Sequence, residues 1–313
     1  MNEKGKIMRK IHLFFLITFL IVFISSCSST SSPYDDHQPP IAKGAEGFSI
    51  GLYNLDDTLE AKRTFVLNGN KFNKKIVFGN MVSHQGEFLL TVFDRGQQIP
   101  FKVDGKEYTV FRFSAEAKEY VPIEVSLENL NEDFHSIYFI VFKSPDSAPD
   151  NVNGAFEFIQ PFYVRVNLLN EKQSQELSPI DPQKLGPSIN PGRIHGIFLS
   201  QSNDKYKSWF KGTVPESGVL EHHVTIGNKE MERMDFFLVA LLDWKQIPFN
   251  DAPHLYSELK PGEEVTFTAK IKPANKSKQI LNYLLLPSPF ADLPDHNPYP
   301  LFSPMASFRV QLN

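Results

Sequence analysis

The residues best suited to hold a ligand directly are Asp150-Asn151 and Asp295-His296-Asn297. Each set follows a proline in a polar loop, DSAPDNVNG (146–154) and FADLPDHNPYP (290–300). Carboxylate and amide oxygens at this spacing suit a hard cation such as calcium. Pro, Asp and Asn also shape turns without any ligand. That is their expected role, and no metal is assigned. Loops at the end of a β-fold are nevertheless the usual recognition surface. Asp150, Asn151, Asp295, His296 and Asn297 therefore stand as a candidate binding edge. Trp244, in the turn DWKQ, is a further candidate. An aromatic at a turn tip anchors a partner or lies against a neighbouring domain.

No set of side chains points to a reaction. Nine histidines are scattered along the chain, and only His222 and His223 are adjacent. On a strand those two leave opposite faces, so they do not grip one metal. HExxH, paired Cys/His spacings and Gly-rich phosphate loops ending in Lys are missing. No catalytic residue and no cofactor is expected.

Cys27 is the only cysteine, and its setting decides its chemistry. Ahead of it, MNEKGKIMRK carries Lys4, Lys6, Arg9 and Lys10 against Glu3. Residues 11–24 are apolar apart from His12 and Thr18, and Ser25 and Ser26 follow. That order is the layout of an export signal. The apolar run falls short of the ~20 residues that span a bilayer as a permanent helix. Ile24-Ser25-Ser26-Cys27 resembles the lipobox of bacterial lipoproteins. The resemblance implies that residues 1–26 are a cleaved signal peptide and that the Cys27 thiol receives a diacylglyceryl group. The protein would then be held by its acyl chains, palmitate among them, on the extracytoplasmic side of a bacterial membrane. Two or more chains make such an anchor stable. Residues 27–46, polar and rich in Ser and Pro, read as a flexible tether.

The chain carries a formal charge of −4. Residues 1–26 hold four basic residues and one acidic, so the remainder is near −7. An acidic body argues against nucleic acid, whose binding needs Lys and Arg on phosphate. Beyond Cys27 no thiol remains for a disulfide, a zinc site or a nucleophile.

Stability must therefore come from packing, and the sequence contains the same packing unit twice. GNMVSHQGEFLLTVFDRGQQIPF (79–101) aligns without a gap to GNKEMERMDFFLVALLDWKQIPF (227–249), with eight of 23 positions identical. GFSIGLY (47–53) matches GRIHGIF (192–198), FIVFKSP (139–145) matches YLLLPSP (283–289), and YVRVNL (163–168) matches SFRVQL (307–312). These anchors keep one order at offsets of 144 to 148. They predict homologous domains at 47–170 and 192–313, joined by a Pro-containing linker at 171–191.

Each copy is made of short runs rich in Val, Ile, Phe, Tyr and Thr, punctuated by turn residues. PIEVSL and VTFTAKI alternate apolar and polar residues, which sets one face on a core. FLLTVF and FFLVALL are continuously apolar and predict strands covered on both faces. QIPF, present in both copies, reads as a signature of the fold. The class is all-β, two tandem β-sandwiches, with a jelly roll as the alternative. PGEEVTFTAKI followed by YLLLPSP resembles the late strands of bacterial immunoglobulin-like domains, which implies that fold for each copy.

The functional expectation is a lipid-anchored, non-catalytic binding or scaffolding module of the cell envelope. Its expected partners are the membrane, through Cys27, and an envelope protein or polysaccharide. The rival readings are an extracytoplasmic enzyme or accessory subunit with active residues spread over sandwich loops, and a metal-handling envelope protein. Solute-binding proteins of transporters need α/β lobes, and this chain has no helices to build them.

Overall fold

A computed structural model describes residues 46–170, 180–201, 206–273, 278–295 and 303–313. Cys27, His296, Asn297, the expected signal peptide and all of the tether but Glu46 lie outside the described residues. The regular structure of the described residues is almost wholly strand, with a single helical turn at Val152–Ala155 and a 3-10 turn at Phe156–Phe158.

Each copy is a β-sandwich of the immunoglobulin type. In the first, the outer sheet runs Phe48–Tyr53, Phe72–Asn80, Glu119–Leu127, Phe101–Val103, Lys106–Tyr108. The inner sheet runs Thr64–Leu67, Phe162–Asn170, Phe134–Lys143, Gly86–Asp94, Gln97–Gln98, with Val110–Ala115 also on Gly86–Asp94. In the second, Ser188–Ile189, Glu264–Ile271, Leu220–Gly227 and Gly196–Ser200 form the outer sheet. Gln279–Pro287 and Met234–Leu242 are central to its inner sheet, flanked by Val310–Leu312 and Lys245–Ile247. The duplication is kept in the pairing itself. Ile137 faces Asp94 in the first copy, and Leu281 faces Leu242, at the same aligned positions, in the second.

The continuous apolar runs have a simple cause: the two inner sheets lie face to face. In Gly86–Asp94, Phe88, Leu90 and Val92 point into their own sandwich, whereas Leu89 and Phe93 pack between the copies. Phe237, Val239 and Leu241 do the same from the other side. Strands buried on both faces need apolar residues at every position, and each such side chain contributes about 1.5–3 kcal/mol.

The shared motifs have structural duties. Asn80 and Asn228 are fully buried, and each donates its amide to backbone carbonyls of two neighbouring turns. In QIPF, Gln98 pairs in the inner sheet and Phe101 in the outer, so Ile99-Pro100 is the crossing between sheets. A proline there removes no ladder bond. The expected linker 171–191 differs from the structure at its second half. Ser188–Ile189 pairs with Val265 and Glu264, and Gln183 bonds to Tyr256 and Ser257. Leu185 packs on the second core. The chain thus joins the second sandwich before residue 192, because these few residues cover the edge strand Glu264–Ile271.

Candidate functional site

The loop residues singled out from sequence fall into separate places. Asn151 caps the turn Val152–Ala155, its Oδ1 accepting from the Gly154 N–H at 2.9 Å. Its amide donates to Asp150 Oδ1 at 2.8 Å. Asp295 is exposed and lines a shallow depression with Lys62 and Thr64. Among the described residues no three His, Cys, Asp or Glu are grouped to hold a metal. Turn and cap chemistry occupies Asp150 and Asn151.

Trp244 is not an exposed anchor. It is 2% exposed, lies 4.6 Å from the Phe142 ring, and donates its indole N–H to Pro145 O at 2.9 Å. The turn that carries it is folded onto the first sandwich, and burial there removes it from any outside partner.

Around it is a contact whose two halves make the same bonds. The Gln98 N–H donates to Gln246 Oε1, and the Gln246 N–H donates to Gln98 Oε1 at 2.8 Å. Arg165 donates across to Ser288, Pro289 and Ala291 carbonyls of the second copy. Arg309, its aligned partner, donates across to Lys143, Ser144 and Ser147 carbonyls of the first. Both arginines are buried. Sequence reasoning passed over them, although the signal stood in the aligned pair YVRVNL and SFRVQL. A charge in mid-strand at the same place twice demands a buried partner.

The symmetry fails at one end, and the failure opens a groove of about 670 Å³. In the first copy the mouth of the sandwich is plugged. Phe48 lies 5.1 Å from Phe162 and 5.8 Å from Phe88. In the second copy the strand register puts His195 at the place of Phe48, since Phe48 faces Asn80 and Gly196 faces Gly227, the residue before Asn228. Met305 faces Leu285 where Phe162 faces Val141. The last strand also gains a residue. From Ile137↔Val166 to Ile140↔Tyr163 both strands advance three residues. From Leu281↔Val310 to Leu284↔Ala306 the C-terminal strand uses four against three. That is a β-bulge, which re-aims side chains, and it is fastened by the Tyr283 N–H to Ser307 Oγ at 3.0 Å. Phe308 consequently lines the groove, whereas Val164 at the aligned position is buried in the first core.

Phe308 is the hub of the groove. Its ring lies 5.5 Å from Phe156, 6.0 Å from Phe198 and 5.7 Å from Phe210. Phe156, 59% exposed, comes from the first copy, so the walls belong to both sandwiches. A bond from Ala306 N–H to Ile159 O at 3.0 Å fixes one wall to the other. His195 and Glu230 stand in the wall with Nε2 and Oε1 3.7 Å apart.

Other reactive groups are structural. Residues 47–51 match Gly-x-Ser-x-Gly, a pattern the sequence reading passed over. Ser49, however, lies inside a strand opposite Gly79 rather than on a strand-to-helix turn. His135 Nδ1 meets Asp94 Oδ2 at 2.7 Å in the core, where Asp94 also accepts from the Ser136 N–H. His222 is buried with its Nε2 3.0 Å from the Tyr283 hydroxyl, and burial pushes its pKa down to about 4. His223 is only half-buried, on the other face.

No protein-family model matches the sequence, and no curated protein matches it. Among solved structures the chain is similar to the crystal structure of red sea bream transglutaminase, at 11% identity and TM-score 0.23. That likeness covers 85% of this chain and 31% of the transglutaminase, so the chain spans about a third of its length. It is also similar to an ASH/PapD-like domain of human CEP192 (PapD-like domain 7), at 9% identity and TM-score 0.23. That match covers 48% of this chain and 98% of the domain.

Proposed function

We propose that this protein is a lipid-anchored, non-catalytic binding module of a bacterial cell envelope, attached through Cys27 and a flexible tether. We further propose that it takes its partner in the groove where the two sandwiches meet. One observation carries the second statement: the same mouth is plugged by Phe48 and Phe162 in one copy and left open, with aromatics on its wall, in the other. A volume of about 670 Å³ suits a specific ligand or side-chain anchor. Exposed apolar side chains at Val152 and Phe156 extend it outward. No helix among the described residues is long and apolar enough to cross a membrane.

The test is photo-crosslinking on intact cells from a reactive residue placed at Val152, beside the groove, with Val66 as the exposed control in the first sandwich. A discrete adduct is expected from position 152, absent from position 66 and lost when Phe308→Val restores the first copy's residue. Equal adducts from both positions, or none, would overturn the assignment.

A further inference from the structure

We infer that the groove takes a protein segment that presents a lysine or arginine flanked by apolar side chains. This rests on the reading of the groove as the binding site and deepens it to a partner chemistry.

Among the described residues the wall holds one carboxylate, Glu230, and neither Lys nor Arg. Lys207 and Lys229, next in sequence to wall residues, are exposed to solvent instead. His195 accepts the Lys229 N–H on Nδ1 at 3.3 Å and turns Nε2 toward Glu230. That nitrogen is 3.7 Å from Glu230 Oε1, too far for a good hydrogen bond. The Glu230 side chain is half exposed, and its backbone N–H is pinned by Asn228 Oδ1 at 3.0 Å. Glu230 thus shares the groove wall with Phe156, Phe198 and Phe308, and aromatic ring faces attract cations through the ring quadrupole.

The rest of the molecule shows how this chain completes such a set. Lys74 lies 5.0 Å from the Phe65 ring and 2.6 Å from Glu60. Lys143 lies 5.6 Å from the Phe158 ring and 3.7 Å from Glu157. In both places a lysine bridges an aromatic face and a carboxylate. The groove repeats the ring and the carboxylate, and among its described wall residues the cation is missing. A partner's side chain would supply it. Its apolar neighbours would cover Ile159, Ile197 and Met305, which line the same space. Residues 196–198 border the groove from the last strand of their sheet among the described residues, so an extended backbone has a margin to run along.

The test is calorimetric titration of the chain from Ser28 onward with three capped peptides, Gly-Leu-X-Leu-Gly, where X is lysine, glutamine or glutamate. The lysine peptide should bind about fivefold tighter than the glutamine peptide and about tenfold or more tighter than the glutamate peptide. Glu230→Gln should remove that preference and leave the glutamine peptide unchanged, while Phe308→Val should weaken all three. Unchanged urea midpoints would show that both variants fold. Equal affinities, a preference for glutamate, or an inert Glu230→Gln would overturn the inference. So would 4-phenylbutylammonium binding as tightly as the lysine peptide, since a small amine would then suffice. Failure of every peptide, with the position-152 adduct still formed, would refute this partner chemistry and leave the groove as the binding site.

Discussion

Arg309→Met is the perturbation that most directly tests how the two sandwiches are held together. The wild-type guanidinium is fully buried, and desolvation pulls its pKa down to about 9, still above neutrality. It donates to the carbonyls of Lys143 at 2.8 Å, Ser144 at 2.6 Å and Ser147 at 2.9 Å. It also lies 4.7 Å from the Trp244 ring and 4.4 Å from Phe158. Hydrogen bonds to a charged group contribute about 1.5–3 kcal/mol each, so three give roughly 5–9 kcal/mol. The variant no longer holds a cation out of water, which returns several kcal/mol. The net loss should be about 3–5 kcal/mol. With a urea slope of about 3 kcal/mol/M, the midpoint should fall by about 1–1.7 M. The chain has two tryptophans, so a Trp209→Phe background leaves Trp244 as a reporter at the contact itself. Trp244 fluorescence and far-ultraviolet circular dichroism should report one transition in the parent. In Arg309→Met the fluorescence change should come first, as the contact opens ahead of the sandwiches. A midpoint within about 0.3 M of the parent would refute the reasoning. It would mean that the three carbonyls are satisfied without the arginine.

Three further outcomes are expected. Cys27→Ala should abolish labelling with palmitate and signal processing while both sandwiches still fold; a variant that still labels would count against the lipid anchor. His222 is buried neutral, with its pKa lowered from 6.5 to about 4. The unfolded chain therefore takes the proton first as pH falls below 6.5, and stability drops between pH 6.5 and 4 by about 3 kcal/mol. Urea midpoints at pH 7 and 4.5 should show that slope, and His222→Asn should lack it. Asn228→Ala strips the Glu232 and Leu259 carbonyls of a buried donor. It should cost about 2–3 kcal/mol in a thermal melt, as should Asn80→Ala in the first copy.

The all-β class, the duplication and the doubly covered strands were legible because they are written in local pattern. An alternating run has one buried face, a continuous run has two, and a repeated motif keeps its register. The two-sided burial of FLLTVF and FFLVALL even implied that each inner sheet needs a cover. What sequence did not disclose was that the cover is the other copy, since residue pattern records burial and not the identity of the neighbour. For Trp244 the pattern left two readings, a partner's anchor or a contact with the neighbouring domain, and it makes the second. The loop acids were chosen because their residue types suit a cation, but Asn151 spends its side chain on a cap. Phe156, Phe198 and Phe308 escaped notice because each is an ordinary core residue by type. Only the bulge and the absent plug expose them.

The contact between the copies has the form of a symmetric dimer interface, in which each half makes the bonds the other makes. Departures from that symmetry therefore separate into two kinds. Gly96, at φ +79°, lies beneath Phe237, where an added Cβ would come within 2.7 Å of the ring. The aligned position in the second copy is Trp244, and the residue aligned with Phe237 is the smaller Leu89. Bulk lost on one side is thus regained on the other, and the core stays closed. The change from Phe48 to His195 has no such answer. Met305 is slimmer than Phe162, the bulge turns Phe308 toward the opening, and no described side chain fills the space. A compensated change preserves packing and calls for no further explanation. An uncompensated one gives up apolar burial, about 1.5–3 kcal/mol for each phenylalanine withdrawn from a core. Sites that break the packing rule of their own fold are where function is expected to lie, and here that criterion selects the groove over every loop chosen for its polar residues.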